Sequence, residues 1–471
     1  MKVSKKTKTI LFFYVISICL LCLINFKIDP DYLWHIKAGE YMFNHGLLRH
    51  DVFSWSVNGS YWMSHEWLFE MFIYLLKLIF GKLHTFVYCV SSIFLLMGIL
   101  FFTNKKNIFK NMTFSMIWLN LFVICMLFVQ VRPHMLSFSF LAITVYLLFD
   151  LYNNKDSKKI YFLPLVSIIW SNVHGGSSNL PYILCLIFVI CGLFDFKFKK
   201  IESKKIDVVQ IKRYLIVAFL CMISVCINIH GYRMFIYPYQ NMLDKDMILN
   251  ILEWRSTSLN ELSHYIYLLF TVFVFFIFLF SKKKISLIDF VLFVFCVFLG
   301  MKSVRFWFYT YIVMSYVVFN YVNKGREEDD EILNIGMLFF SVVFLIVFII
   351  NAHALFPNSY SYDLDSKDIE YVKKLKPKKL FNAYNYGGDL IYNDIKVFID
   401  GRADLYSNND VFADFISIYD LKGDFYSLIC KYGFDYYMVD KNSNFDYYLR
   451  YDDRFQLLYM NGDVKIYEKK N

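Results

Sequence analysis

The sequence predicts an α-helical polytopic membrane protein, with about eleven transmembrane helices followed by a small C-terminal α/β domain. Three observations carry this. Of 471 residues, 58% are hydrophobic and only 19% are charged, against roughly 45–50% and about 25% in soluble domains. The apolar residues gather in runs of roughly 15–19, close to the ~20 that cross a bilayer core. The composition then changes near Asp363, where charges alternate with short β-rich runs. No fixed period repeats along the chain, which excludes a solenoid.

The apolar runs lie at 10–26, 86–102, 112–129, 135–151, 160–174, 180–194, 214–230, 264–280, 286–300, 306–322 and 332–350. The first follows Lys2, Lys5, Lys6 and Lys8 and no small-residue cleavage site comes after it, so it reads as an uncleaved span with a cytoplasmic N-terminus. Nine of the ten cysteines fall in apolar spans, and only Cys430 lies in the tail. That distribution is packing, not a disulfide framework. One more apolar stretch, 67–80, is short and carries Glu70 and Lys77.

Loop charge sets the orientation. The basic loops hold Lys105, Lys106 and Lys110; Lys155, Lys158 and Lys159; the stretch 197–213; Lys282, Lys283 and Lys284; and Lys324 with Arg326. Positive loops favour the cytoplasm. All five share that side only if 67–80 does not cross, so it reads as an interfacial helix. The expected organisation is a transmembrane domain over 1–350, with a first outer loop at 27–66, and an extracytoplasmic α/β domain over 351–471. The net charge of +9 belongs to the membrane part, because from Ala352 onward there are 16 Lys/Arg against 19 Asp/Glu. Nucleic acid is therefore not the partner that the basicity implies.

In the tail, strands are expected at 379–382, 396–400, 434–440, 455–460 and 464–468. Helices are expected near 386–392, 410–419, 424–432 and 443–451. Some 110 residues are enough for a core of their own.

The polar, His- and Trp-bearing turns all fall on the outer face under this topology. Asp29 and Asp31 form a D-x-D where the first span ends. This pair has two readings. It is an acidic turn, fixed by Pro30, that ends a helix; or it is a general base at a low-dielectric boundary, which could also hold Mg²⁺ or Mn²⁺. Arg132 and Arg305 sit at outer ends of spans. They either snorkel to the interface or offer planar forks to a phosphate, with Lys302 and Arg255 as weaker options. His35, His174 and His230 either hydrogen-bond a ligand and move protons or are satisfied polar residues at helix ends. Trp34, Trp55, Trp62 and Trp67 either stack on a ligand or anchor at headgroups. Gly175-Gly176 reads as a helix stop, and Asp400-Gly401-Arg402 as a tight turn with an ion pair.

Asp29-Pro30-Asp31-Tyr32-Leu33-Trp34-His35-Ile36, followed by Gly39, Asp51-Val52-Phe53-Ser54-Trp55-Ser56 and Glu66-Trp67-Leu68, resembles the first outer loop of the GT-C superfamily. These are polytopic glycosyltransferases that use polyprenyl-phosphate sugars, and the nearest likeness is to a bacterial glycosyltransferase-like group. Arg132-Pro133-His134 resembles an R-P-Q turn of that group, with His where Gln is usual. Trp170-Ser171-Asn172-Val173-His174-Gly175-Gly176 resembles W-x-N-x-H-G-G, and Glu253-Trp254 a later E-W. In the tail, Gly387-Gly388-Asp389-Leu390 resembles G-G-Y-L, with Asp for the aromatic, and Phe398-Ile399-Asp400-Gly401-Arg402 resembles F-x-D-G-R.

The resemblance implies a cell-envelope transferase that moves a hexosyl or pentosyl group from a polyprenyl phosphate to a glycan, lipid or protein acceptor. The reaction would run on the outer face of the cell membrane with inversion. Asp31 or Asp29 would be the base, and Arg132 and Arg305 would meet the donor phosphate. Trp34, His35, His174, His230 and Glu253 would contact substrate. Asp29 and Asp31 are also the candidates for Mg or Mn. Two other classes stay open on sequence alone: a lipid-linked glycan transporter or flippase, and a non-catalytic assembly partner.

Overall fold

The structure is a computed structural model, and it describes residues 4–23, 28–126, 129–203, 205–251, 254–322, 330–351 and 363–470. By compactness the chain forms two units. One comprises Met1–Lys27, Thr85–Leu243 and Ile248–Phe356; the other comprises Ile28–His84, Asp244–Met247 and Pro357–Asn471. The first outer loop and the 67–80 helix thus group with the tail, whereas the sequence reading placed them in a transmembrane domain ending at residue 350.

The first unit is helical. Every apolar run read from the sequence carries a helix: α1 (Lys5–Cys22), then, after α2 (Tyr32–His45) and α3 (Trp67–Phe80) of the second unit, α4 (His84–Lys110), α5 (Met112–Cys125), α6 (His134–Asn153), α7 (Leu163–Val173), α8 (Leu180–Gly192) and α9 (Val208–Val225). Further on come α10 (Arg233–Leu243), α11 (Lys245–Asn250), α12 (Tyr265–Phe280), α13 (Leu287–Lys302), α14 (Trp307–Val317) and α15 (Asp330–Asn351). Among the described residues, five stretches are long and apolar enough to cross a membrane: Trp67–Lys110, His134–Asn153, Gly175–Gly192, Val208–Val225 and Leu262–Phe280. Eleven crossings are therefore not what length and composition give. At 1.5 Å per residue, the eleven residues of α7 rise only about 16 Å.

Local chemistry starts these helices. Ser4 and Asn111 cap α1 and α5 by accepting the amides of Thr7 and Phe114 at 3.0 Å, which satisfies orphan donors of a first turn. A capping box of Asp207 and Gln210 opens α9. Prolines stand in the first turns of α7 and α8, where their missing N–H costs nothing. Between helices, Tyr14 donates to Asn120 Oδ1 at 2.6 Å and Tyr311 to the Trp118 carbonyl at 2.8 Å. A small sheet, β1 (Phe196–Phe198), β2 (Ile201–Ser203) and β3 (Ile285–Ser286), joins two of the basic loops in that strand order.

The second unit pairs α2 with α3 and carries a four-stranded sheet. The tail elements are α16 (Ser366–Leu375), β4 (Leu380–Asn382), α17 (Gly387–Tyr392), α18 (Ala403–Ser407), α19 (Val411–Tyr419), α20 (Phe425–Tyr432), β5 (Tyr436–Asp440), α21 (Asn444–Tyr451), β6 (Phe455–Asn461) and β7 (Val464–Lys469). The strand order is β4-β5-β7-β6, with β4 and β5 parallel and the other pairs antiparallel. Phe381, Phe398, Phe434, Tyr437 and Phe445 fill the core under it.

Besides α10, α11, α16, α18 and the sheet of β1, β2 and β3, which the sequence reading did not expect, two differences concern the first outer loop. The stretch 396–400, expected as a strand, does not join the sheet. Its Val397 instead pairs with the first outer loop, exchanging hydrogen bonds with Phe53 and Trp55 at 3.2 and 3.0 Å. The first outer loop also contains a fourteen-residue helix, α2.

Candidate active site

The D-x-D turn is built by its own side chain. Asp29 Oδ1 accepts the Asp31 amide at 2.9 Å, and the Asp29 carbonyl accepts the Tyr32 amide at 3.0 Å. This Asx turn around Pro30 does not end a helix; it begins α2, and Asp31 occupies the N-cap position. A carboxylate there meets the positive end of the helix dipole.

Two glycine sites in the tail let the turn seat against it. A Cβ on Gly388 would lie 2.3 Å from the Pro30 carbonyl oxygen, and one on Gly401 would lie 1.6 Å from Asp31 Oδ1. Neither position tolerates a side chain. Trp34 Nε1 faces the same notch, 3.0 Å from that would-be Cβ. It is buried and has no hydrogen-bond partner among the described residues, so an N–H donor stands beside the Asp31 carboxylate.

Gly401 is itself held by a buried ion cluster. Arg402, fully enclosed, donates from Nη1 to Asp51 Oδ1 at 2.6 Å, from Nη2 to Asp400 Oδ2 at 2.6 Å and from Nε to Asp400 Oδ1 at 2.8 Å. Its guanidinium lies 4.7 Å from the Trp62 ring and 5.3 Å from the Phe53 ring. Burial acts to lower its proton affinity, but Asp400 and Asp51 more than offset this and keep it charged. Asp51 also accepts the Ser54 amide at 3.0 Å and the Ser54 hydroxyl at 2.6 Å. The D-V-F-S and D-G-R segments are thus two halves of one clamp. Trp62, which the sequence left between ligand stacking and headgroup anchoring, is buried as the floor beneath Arg402, and Trp55 stacks on Phe398 at 5.4 Å.

His35 is buried between carboxylates, with Nε2 3.4 Å from Glu66 and Nδ1 3.4 Å from Glu70. Ser64 donates to Glu70 at 2.9 Å. Lys77 of α3 donates to the Tyr392 hydroxyl at 2.9 Å. Both charges of the 67–80 helix therefore have partners within the second unit.

In the first unit, the W-S-N-V-H-G-G segment ends α7 in a polar knot. His174 Nδ1 lies 2.6 Å from Ser137 Oγ and 3.1 Å from Ser177 Oγ, and Nε2 lies 3.0 Å from Arg305 Nη2. Trp170 Nε1 donates to the same two serines, at 2.9 and 3.2 Å. Arg305 also stands 5.3 Å from the Trp254 ring. Asn172 and Asn228 bond one another at 3.0 Å, and the Asn228 side chain accepts the amide of buried His230. Arg132 is half-buried, and its carbonyl accepts Tyr88 at 2.7 Å. His134 begins α6 and packs on Phe138. Glu253 lies outside the described residues.

No family model and no curated protein matches the sequence. Solved structures do match the fold, two archaeal ones among them. One is the oligosaccharyltransferase of Archaeoglobus fulgidus in its apo form, at 12% identity and a TM-score of 0.51 over 92% of this chain and 69% of that one. The other is the archaeal oligosaccharyltransferase AglB of the same organism in complex with an inhibitory peptide and a dolichol-phosphate, at 10% identity and a TM-score of 0.52 over 93% and 70%. At these identities the likeness is one of fold: the chain shares the fold of these archaeal oligosaccharyltransferases.

Within that fold, the candidates fall into two groups. Asp29, Asp31, Trp34 and His35 belong to the second unit; Arg132, His174, His230 and Arg305 belong to the first. In the second unit the Trp34 ring lies 3.7 Å from the His35 ring, and in the first His174 is hydrogen-bonded to Arg305. Among the described residues, no group of three or more His, Cys, Asp or Glu is placed to hold a metal ion. Sequence reasoning passed over the pairing of Asp51 with Arg402, along with the Glu66 and Glu70 box around His35. The signal was present in D-V-F-S and D-G-R, both singled out as motifs without any reason to pair them.

Proposed function

We propose that this chain is a GT-C membrane glycosyltransferase that moves a sugar from a polyprenyl-phosphate donor to an acceptor hydroxyl or amide on the outer face of the cell membrane. The observation that carries this is the Asp29-Pro30-Asp31 turn, seated without side-chain cover on Gly388 and Gly401 at the start of α2. The fold supports it, as does the dolichol-phosphate held by the structural neighbour.

Each role is assigned within its own unit. Asp31 takes the acceptor's proton. The acceptor lone pair forms the new bond to the anomeric carbon, and the bond from that carbon to the phosphate oxygen breaks on the opposite face, so the configuration inverts. The electron pair leaves with the lipid phosphate. Asp29 holds the Asp31 backbone through its Oδ1, and Trp34 Nε1 offers a donor to the incoming acceptor. Arg305 and Arg132 supply the positive charge that the phosphate leaving group needs. The transferred group is hexosyl or pentosyl.

The orientation belongs to the same proposal: a cytoplasmic N-terminus, eleven crossings, α3 along the outer interface and the tail outside. The partnering of Glu70 and Lys77 inside the second unit supports α3 as a non-crossing helix.

The test is turnover of polyprenyl-phosphate sugars by D31N and D29N variants in native membranes. Loss of about 10²–10⁴-fold in D31N, the usual worth of a general base, is expected. Wild-type turnover in both folded variants would eliminate the catalytic assignment and favour a transporter or assembly partner.

A further inference from the structure

We infer that His174 is a positioning residue for Arg305: a buried imidazole, fixed in one tautomer, that aims the guanidinium toward phosphate. This rests on the phosphate role given to Arg305 above.

The tautomer follows from donor chemistry. Arg305 Nη2 lies 3.0 Å from His174 Nε2. A guanidinium has five N–H donors and no acceptor. His174 Nε2 must therefore present its lone pair, and the ring proton must sit on Nδ1. That proton has acceptors: Ser137 Oγ at 2.6 Å and Ser177 Oγ at 3.1 Å. The groups around these serines agree with this direction. Trp170 Nε1, a donor only, points at the same two oxygens, and the Tyr309 hydroxyl donates to Ser177 at 3.2 Å. Donors converge on the serine oxygens from three side chains, so reversing the imidazole would set N–H against N–H at Arg305. The ring is 1% exposed, which fixes it further.

Two consequences distinguish this from the roles the sequence left open. His174 Nε2 is engaged by a permanent cation, so it does not shuttle a proton there. Instead it holds one edge of the guanidinium while the Trp254 ring, 5.3 Å away, supports the same group. An arginine held at one edge presents its remaining N–H groups as a planar fork, the arrangement that matches phosphate. A free arginine at a helix end would have to be ordered at the moment of binding.

The experiment uses the full-length protein in nanodiscs, with undecaprenyl phosphate as the probe. R305A should weaken binding about 10–100-fold, the usual range for a hydrogen bond to a charged group. H174L, which keeps bulk but offers no acceptor, should weaken it about tenfold. H174Q, whose amide oxygen can accept from Arg305, should stay within about threefold of wild type, a rescue that a mere packing role would not give. H174L combined with R305A should bind no worse than R305A alone. Losses that add in the double variant, or an H174L protein that binds like wild type, would overturn the inference. A second readout is independent of lipid. ¹⁵N-histidine solid-state NMR, with H174Q identifying the ring signals, should find Nδ1 protonated and Nε2 bare, and R305A should move the Nε2 signal. A protonated Nε2 overturns the positioning inference alone. Unchanged lipid affinity in R305A overturns the phosphate role of Arg305 instead.

Discussion

At Gly401 the molecule leaves no room for even one methyl group. A Cβ would penetrate Asp31 Oδ1, and neither the backbone of the Asp400–Arg402 turn nor that of the Asx turn can retreat without breaking its own hydrogen bonds. G401A should therefore displace Asp31 while leaving the Arg402 cluster assembled. The expected outcome is a loss of glycosyl transfer approaching that of D31N, with the thermal transition lowered by only ~1–3 kcal/mol, the ordinary cost of overpacking. Turnover and melting of the same preparation check both halves. The opposite signature belongs to R402M. It removes one partner of a buried pair and strands Asp51 and Asp400, which typically costs about 3–5 kcal/mol, so it should lower stability first and activity as a result.

At the scale of elements, α3 and α21 make separate claims. The charges of α3 are engaged with His35, Ser64 and Tyr392, which motivates a helix lying outside the hydrocarbon. A cysteine placed at 103–111 should then be labelled from the cytoplasm and not from outside the cell. Labelling from outside would end the eleven-crossing arrangement. On α21, Asp446 is buried and accepts Lys465 Nζ at 2.9 Å, the Tyr467 hydroxyl at 2.6 Å and the Asn442 amide at 2.8 Å. Burial acts to raise its proton affinity, but Tyr467, Lys465 and the amide outweigh burial and leave it below the usual carboxylate value. A depressed folded value means that the contribution to stability is complete above the unfolded value of about 3.9 and drains away as pH falls through the folded one. Acid melting of the full-length protein below about pH 4 should therefore be steeper in wild type than in D446N.

For the whole molecule, the sequence spoke clearly wherever one physical signal dominated. The apolar runs mark all eleven helices of the first unit that they were expected to mark, because a lipid-facing or buried helix has only to be long and apolar. β4, β5, β6 and β7 were legible from short alternating runs. The segment 396–400 has the same local composition as a strand, yet its hydrogen bonds go to Phe53 and Trp55, and no local signal tells which partner a strand-like run will find. α2 was hidden for a related reason. Its polar Lys37, Glu40 and His45 made the stretch look like loop, while its apolar face answers to α3 and α17, elements far off in the chain. At the candidate site, residue types were legible and their pairing was not. His174 and Arg305 were both named, but their bond spans 131 positions, and no spacing rule reaches that far.

The Arg402 clamp joins residues 351 positions apart. A ribosome adding about 5–20 residues per second needs roughly 20–70 s to travel that distance. Through that interval Asp51 exists without its cation, and the Asp31 turn exists without the glycines it sits on. The first outer loop is among the first parts of the chain to be made and among the last to acquire its shape. A chain stopped before residue 398 would carry every acidic residue of the proposed active centre and still be inert. Under the proposed function, unfinished copies would lack the seat that Asp31 needs to act on a lipid-linked sugar.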